Sequence, residues 1–305
     1  MNYDKYKFLD WISIEKLAWS GISYNIHPAA IQLLEQNKDK IDWSSLCMNT
    51  NPDSLKLLEQ NLNKINWWSL SLNPQAIKLF EQNIDKISWA MLSKNPNADA
   101  LRILENNFDK IDWMMLSRNP NAFHILEKNQ DKINWCQMSV NTDVRAIQLL
   151  ENNFDKIDWS MLSRNPNADA LRILEQNQDK IYWTALSSNC SSTAMRILEQ
   201  NQDKINWFNL SFNPNADALR ILEQNQDKIN WLKLSFNPNA DALRILEQNQ
   251  DKINWEQISL NPFIFEIDYI GMSKERTSII YQELIEKALH PSRVIKWIEL
   301  GFEDF

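Results

Sequence analysis

The hydrophobic pattern of this chain repeats itself. Tryptophan sets the register: Trp19, Trp43, Trp67, Trp89, Trp113, Trp135, Trp159, Trp183, Trp207, Trp231 and Trp255 stand 24 residues apart, except for two intervals of 22 that follow Trp67 and Trp113. Eleven tryptophans bound ten complete units, and a clean copy, Trp231 to Asn254, reads WLKLSFNPNADALRILEQNQDKIN. From Trp43 onward the residue two before each Trp is Ile, and the residue between is Asp, Asn or Ser in nine of ten cases, Tyr182 being the exception. Those side-chain oxygens suit the orphan N–H groups of a helix that starts at Trp. The Ile before the cap and the Leu, Ile or Met three after Trp form the flanking apolar pair that staples a helix entry. Each Trp therefore opens a short helix. Trp, the apolar residue at the third position and the usual Ser at the fourth share one face.

Six residues after every one of these tryptophans stands Asn, from Asn25 to Asn261, usually followed by Pro. A left-handed Asn ends a helix and Pro blocks its continuation, so the short helix is barely two turns long. A second helix starts near the Pro, which suits a first turn. It runs through strong helix formers such as ALRILEQN, Ala242 to Asn249. Ala242, Leu243, Ile245 and Leu246 are its apolar side, Arg244 and Glu247 a surface pair at i,i+3, and Asn249 its end. The 22-residue units lack two residues here, so their second helix starts later or is shorter. A leucine-rich repeat of similar period needs strand alternation, which LRILEQN lacks.

Two small helices cannot bury their apolar faces alone; stacked copies can. The expected fold is all-α: a right-handed-type α-solenoid of ten helix-turn-helix repeats of about 24 residues with helical caps. Residues 1–18 are the N-terminal cap, in which Glu15 to Trp19 mimics the link between units. Residues 19–261 are the tandem repeats. Residues 262–305 are a C-terminal helical cap over the last core face, with Ser273 capping a helix to about Ala288 and a second helix from Ser292 to Leu300 stopped by Gly301. Trp297, Phe302 and Phe305 are docking candidates on that segment. With layers about 8–10 Å apart, ten units would extend on the order of 90 Å.

Composition narrows the chemistry. A net charge of −8 disfavours a general phosphate-backbone binder. The row Lys40, Lys64, Lys86, Lys110, Lys132, Lys156, Lys180, Lys204, Lys228, Lys252 could track phosphates, but Asp precedes all except Lys64, and Asp–Lys or Glu–Lys ladders between units explain it equally. Cys47, Cys136 and Cys190 have no metal-ligand spacing and read as free thiols in a reducing compartment. His27, His124 and His290 have no neighbouring nucleophile, and there is no glycine-rich phosphate loop. Recurrent Ser is expected to bond its own helix backbone. The expectation is therefore no enzyme, no metal and no cofactor. The first ten residues hold no apolar leader run, and no stretch suits a membrane span.

The repeated run LSRNPNADALRILEQNQDKIYW, Leu162 to Trp183, and the closing ELIEKALHPSRVIKW, Glu283 to Trp297, resemble the tandem-repeat proteins of giant DNA viruses of the mimivirus and marseillevirus groups. The resemblance covers about residues 11–305. It carries over no catalytic residue and implies expression in an infected host cell, in its cytoplasm, a viral factory or the virion. Two 22-residue units, Tyr182 and Cys190 depart from the pattern.

An extended repeat surface is suited to binding protein, and specificity must lie where units differ. The residues one and five after Trp are i,i+4 neighbours: Trp68/Leu72, Met114/Arg118, Phe208/Phe212 and Leu232/Phe236. They either pack between units or form a recognition strip. The functional expectation is a non-enzymatic protein–protein adaptor or scaffold. The alternatives are a nucleic-acid-binding helical repeat, which the charge disfavours, and a structural virion or assembly component that associates with itself through its ends.

Overall fold

The computed structural model describes residues 6–301; Phe302 and Phe305 lie outside the described residues. It divides into two compact units, Trp11–Ile264 and a smaller one made of the segments before and after it.

The larger unit is the helical repeat. Short helices such as Trp159–Arg164 and Trp231–Ser235 alternate with longer ones such as Ala168–Gln176 and Asp241–Glu247, joined by one-turn 3-10 links such as Gln178–Lys180. All nine Asp, Asn or Ser caps accept the N–H three residues on, as Asp158 does from Met161. Tyr182 offers no such bond. The helix at Trp183 still forms, because its stapling pair is in place: Ile181 and Leu186 are both buried. In the 22-residue units the second helix shrinks to Ile77–Gln82 and Phe123–Leu126.

The recurring Asn after the short helix is extended, with φ of −64° at Asn95, and among the described residues only Gly301 has positive φ. The expected left-handed Asn is thus replaced by a backbone that a following Pro favours. The side chain explains the recurrence. Asn165 Nδ2 donates to the carbonyls of Ser139 and Asn141 in the preceding unit, at 3.2 and 2.8 Å, and its Oδ1 accepts from Asn167 N–H. Each bridging Asn is buried. In the units of Trp89, Trp159 and Trp207 the Asn two residues later, not the Pro, caps the second helix, as Asn167 does for Ala168–Gln176. The second recurring Asn ends that helix by donating to the carbonyl four back, as Asn177 does to Ile173.

The repeat does not stay open. Asn25, in the first unit, donates to the carbonyls of Ser259 and Asn261 in the last, at 3.2 and 3.0 Å. Ala18 N–H donates to Ser259 Oγ at 2.8 Å, and Lys16 Nζ lies 4.6 Å from the Trp255 ring. The bond from Asn25 to Asn261 has its counterpart at every other pair of neighbours, and the Lys–Trp contact at six of them. Eleven Trp-to-Asn modules close into a ring, and the Asn ladder runs round it unbroken. The linear extension of about 90 Å is corrected accordingly. The core face of the last repeat is covered by helix Trp19–Tyr24, and Glu15 to Ala18 serve as a link rather than a cap.

One residue marks the join. A Cβ on Gly21 would sit 2.5 Å from Ser259 Cβ and 3.1 Å from the Ser259 carbonyl carbon. The equivalent position holds Ser45, Met161 or Ala185 elsewhere, so only this interface demands glycine.

In the smaller unit, β1 (Tyr6–Phe8) pairs antiparallel with β2 (Phe265–Ile267), Lys7 opposite Glu266, and Phe8 stacks on Phe265 at 4.6 Å. A helix follows over Tyr269–Glu283, capped by Asp268 rather than Ser273, and continues as a π-helical turn, Leu284–Ala288. The last helix, Pro291–Glu299, is capped by His290 and ends before Gly301 at φ 87°.

Candidate functional site

Most recurring polar residues are committed to stacking. Ser163 Oγ donates to Trp159 O at 2.7 Å and accepts the N–H of Tyr182 from the next unit at 3.0 Å. The first bond is the expected one within the helix; the second ties units together. Cys47 replaces Ser in one unit. It is fully buried and receives the Asn66 N–H, and burial pushes its thiol up to about 11, so the group stays protonated and takes the hydroxyl's place as acceptor.

The lysine row is largely occupied as well. Lys40, Lys86, Lys132, Lys156, Lys228 and Lys252 each lie over the ring of the tryptophan that opens their own unit, at 4.4–5.4 Å. Lys110, Lys180 and Lys204 pair with the Asp just before them. The ammonium groups thus cover half-buried indoles, and the ladder between units expected for them is not what forms. The ladder between units uses arginine instead: Arg172 pairs with Glu151 at 2.7 Å and Arg244 with Glu223, not with Glu247. Arg196–Glu175 and Arg220–Glu199 repeat it.

The variable positions lie elsewhere. At most interfaces the short helices lie closer to one another than the long ones do, as Trp19–Tyr24 and Trp43–Met48 do beside Pro28–Gln36 and Pro52–Glu59. In a closed ring of two layers, the layer with the smaller spacing is the inner one. The short helices therefore form the inner wall, and the face turned away from the long helices carries the first, second and fifth residues after Trp. A concavity of about 260 Å³ lies on this face across four successive units at the join, lined by Gly21, Tyr24, Met48, Phe236 and Leu260 among others.

All eight candidate residues from the sequence lie on this wall. Trp68, Met114, Phe208 and Leu232 are about half exposed, at 56, 48, 48 and 46 %. Arg118 is exposed, and Leu72, Phe212 and Phe236 are partly covered. Packing between units and display both occur: Phe212 stacks on Phe236 at 5.0 Å, while Lys233 Nζ lies 4.8 Å from the Phe208 ring. The sequence reading missed the wall's closure and, of its cations, singled out only Arg118. Lys94, Arg118 and Arg164 all stand five after Trp, and none has an ion-pair partner among the described residues. Gly21, one of three glycines in the chain, was the available signal for the closure.

Among the described residues no group of three or more His, Cys, Asp or Glu stands together as a metal site, and no helix is long and apolar enough to cross a membrane. Comparison with protein-family models, curated proteins and solved structures finds no match.

Proposed function

We propose that this chain is a non-enzymatic binding protein, an adaptor or scaffold whose protein partner engages the inner wall of the repeat ring. One observation carries the reading: recurring Asn, Ser, Lys and Trp are consumed by stacking, whereas the residues that differ from unit to unit gather on one continuous face. A surface free of structural duty is where specificity can reside. Association of rings through open repeat ends has less support, because each repeat face is already covered by a neighbour. The resemblance to giant-virus repeat proteins supports action inside an infected amoeba, in its cytoplasm or viral factory.

The test is site-specific photo-crosslinking in amoebal cells. A photoreactive residue at Phe208 or Phe212 should capture a discrete protein, and the same residue at Gln178 on a link should not. Capture from the link alone would refute the inner-wall reading.

A further inference from the structure

We infer that the ring admits an acidic amphipathic helix, threaded through its opening; this rests on the inner-wall reading above. Eleven short helices spaced by about 8–10 Å place their axes on a circle about 30 Å across, leaving an opening about 20 Å wide. One helix with side chains, about 10–12 Å thick, fits within it.

The wall has two unlike sides. In units Trp89, Trp113 and Trp159 the second and fifth residues read Met91/Lys94, Met115/Arg118 and Met161/Arg164. Each pair is at i,i+3, so a flexible thioether lies beside each cation. The three cations have no ion-pair partner among the described residues. By contrast, all six arginines of the long helices, from Arg102 to Arg244, are paired. Counting the first, second and fifth positions of all eleven units, the wall carries Lys94, Arg118, Arg164 and Lys233 against Glu256, four positive against one negative, in a chain of net charge −8.

Counting round the ring, the opposite side falls near units Trp231 and Trp255, within an arc of Phe208, Phe212, Leu232, Phe236, Leu260 and Tyr24 whose two charges, Lys233 and Glu256, offset each other. A helix with carboxylates along one stripe and Leu or Phe along the other finds a complementary surface on either side it lies against, its carboxylates toward the cations or its apolar stripe toward the aromatic arc. Single-stranded nucleic acid is disfavoured, because Lys233 is the one wall cation set against the aromatic arc, while Lys94, Arg118 and Arg164 lie across the ring from it.

The experiment is fluorescence anisotropy on the full chain with a labelled 20-residue helical peptide bearing a Glu stripe opposite a Leu stripe. A peptide with Lys in place of Glu and a 12-nucleotide oligouridylate serve as comparators. The Glu peptide should bind, and the Lys peptide at least tenfold more weakly. The variant Lys94→Glu/Arg118→Glu/Arg164→Glu, checked for unchanged helicity, should lose at least tenfold. Lys38→Glu/Lys78→Glu/Lys128→Glu changes the net charge equally and should stay within threefold of the parent. Equal loss in both variants, no binding of the Glu peptide, or preferential binding of the oligouridylate would overturn the inference. The crosslinking separates the two readings. A partner still captured from Phe208 in the Lys94/Arg118/Arg164 variant overturns the acidic helix and leaves the inner-wall reading standing. No capture from Phe208 in the parent chain removes both.

Discussion

The interface between the last unit and the first makes the bonds of any other interface in the ring, yet it differs in two respects. No chain link holds it, and it tolerates no side chain at position 21. Between Trp159 and Trp183 units the chain runs straight through, and the equivalent position is Ala185. At the join, helix Trp19–Tyr24 approaches Ser259 so closely that a Cβ would overlap it. The difference teaches that recurrence defines the unit, whereas closure is a property of one place, written in the residue that departs from the repeat.

Substitutions can break this comparison. The largest effect is expected inside the ring. Asn165→Ala removes two donated bonds and one accepted bond, leaving buried carbonyls unpaired at a cost of about 4 kcal/mol. Asn25→Ala removes the same bonds at the join but should cost less, because the join can open and rehydrate the carbonyls; urea unfolding of the two variants measures the gap. Gly21→Ala comes next, at about 3 kcal/mol from overpacking, and small-angle scattering should show an expanded particle. An unchanged radius and stability would mean that the close approach at the join is not rigid. Trp159→Ala should cost about 2 kcal/mol, less than the ~3–5 of a fully buried Trp, since the ring is half-buried. Tyr182→Asn should stabilise by about 1 kcal/mol by restoring the missing cap.

The smallest effect is a pH dependence beside the join. His27 Nδ1 accepts the Ala29 N–H, and burial holds the imidazole below its ordinary value of 6.5. Protonation therefore costs the folded chain more than the unfolded one. The stability from this residue is complete above about pH 6.5 and declines as pH falls below it. His27→Asn keeps a capping oxygen and should flatten that slope in thermal unfolding.

The helices were legible because local chemistry decides them. Asp158 caps, Ile157 staples and Asn177 terminates using partners within a few residues. The partners of Asn165 and Ser163 were not legible, since they lie a whole unit away and the same residues also make plausible local bonds. The lysine row misled for a similar reason: the Asp beside nine of the ten suggested ion pairs, which three of them form, while six lie over the Trp a unit-length away in sequence. The eight candidate residues fell on one face because helical spacing fixes that. That the face lines an opening required the curvature, which depends on the unequal spacing of two layers and is not encoded in any one unit.

The bonds from Asn25 to Ser259 join residues 234 apart in sequence. Apart from its companion bond to Asn261, every other rung of the ladder spans 22 to 26 residues. Ordering the longer segment costs roughly 2 kcal/mol more in loop entropy, by the logarithmic dependence on length. Units can assemble outward from any starting pair, but this contact must wait until all the others exist. The last step of folding and the first of unfolding thus fall at the same place. Amides of helices Trp19–Tyr24 and Trp255–Ile258 should exchange with solvent ahead of their counterparts across the ring, as the opening of a clasp precedes the loosening of the chain it holds.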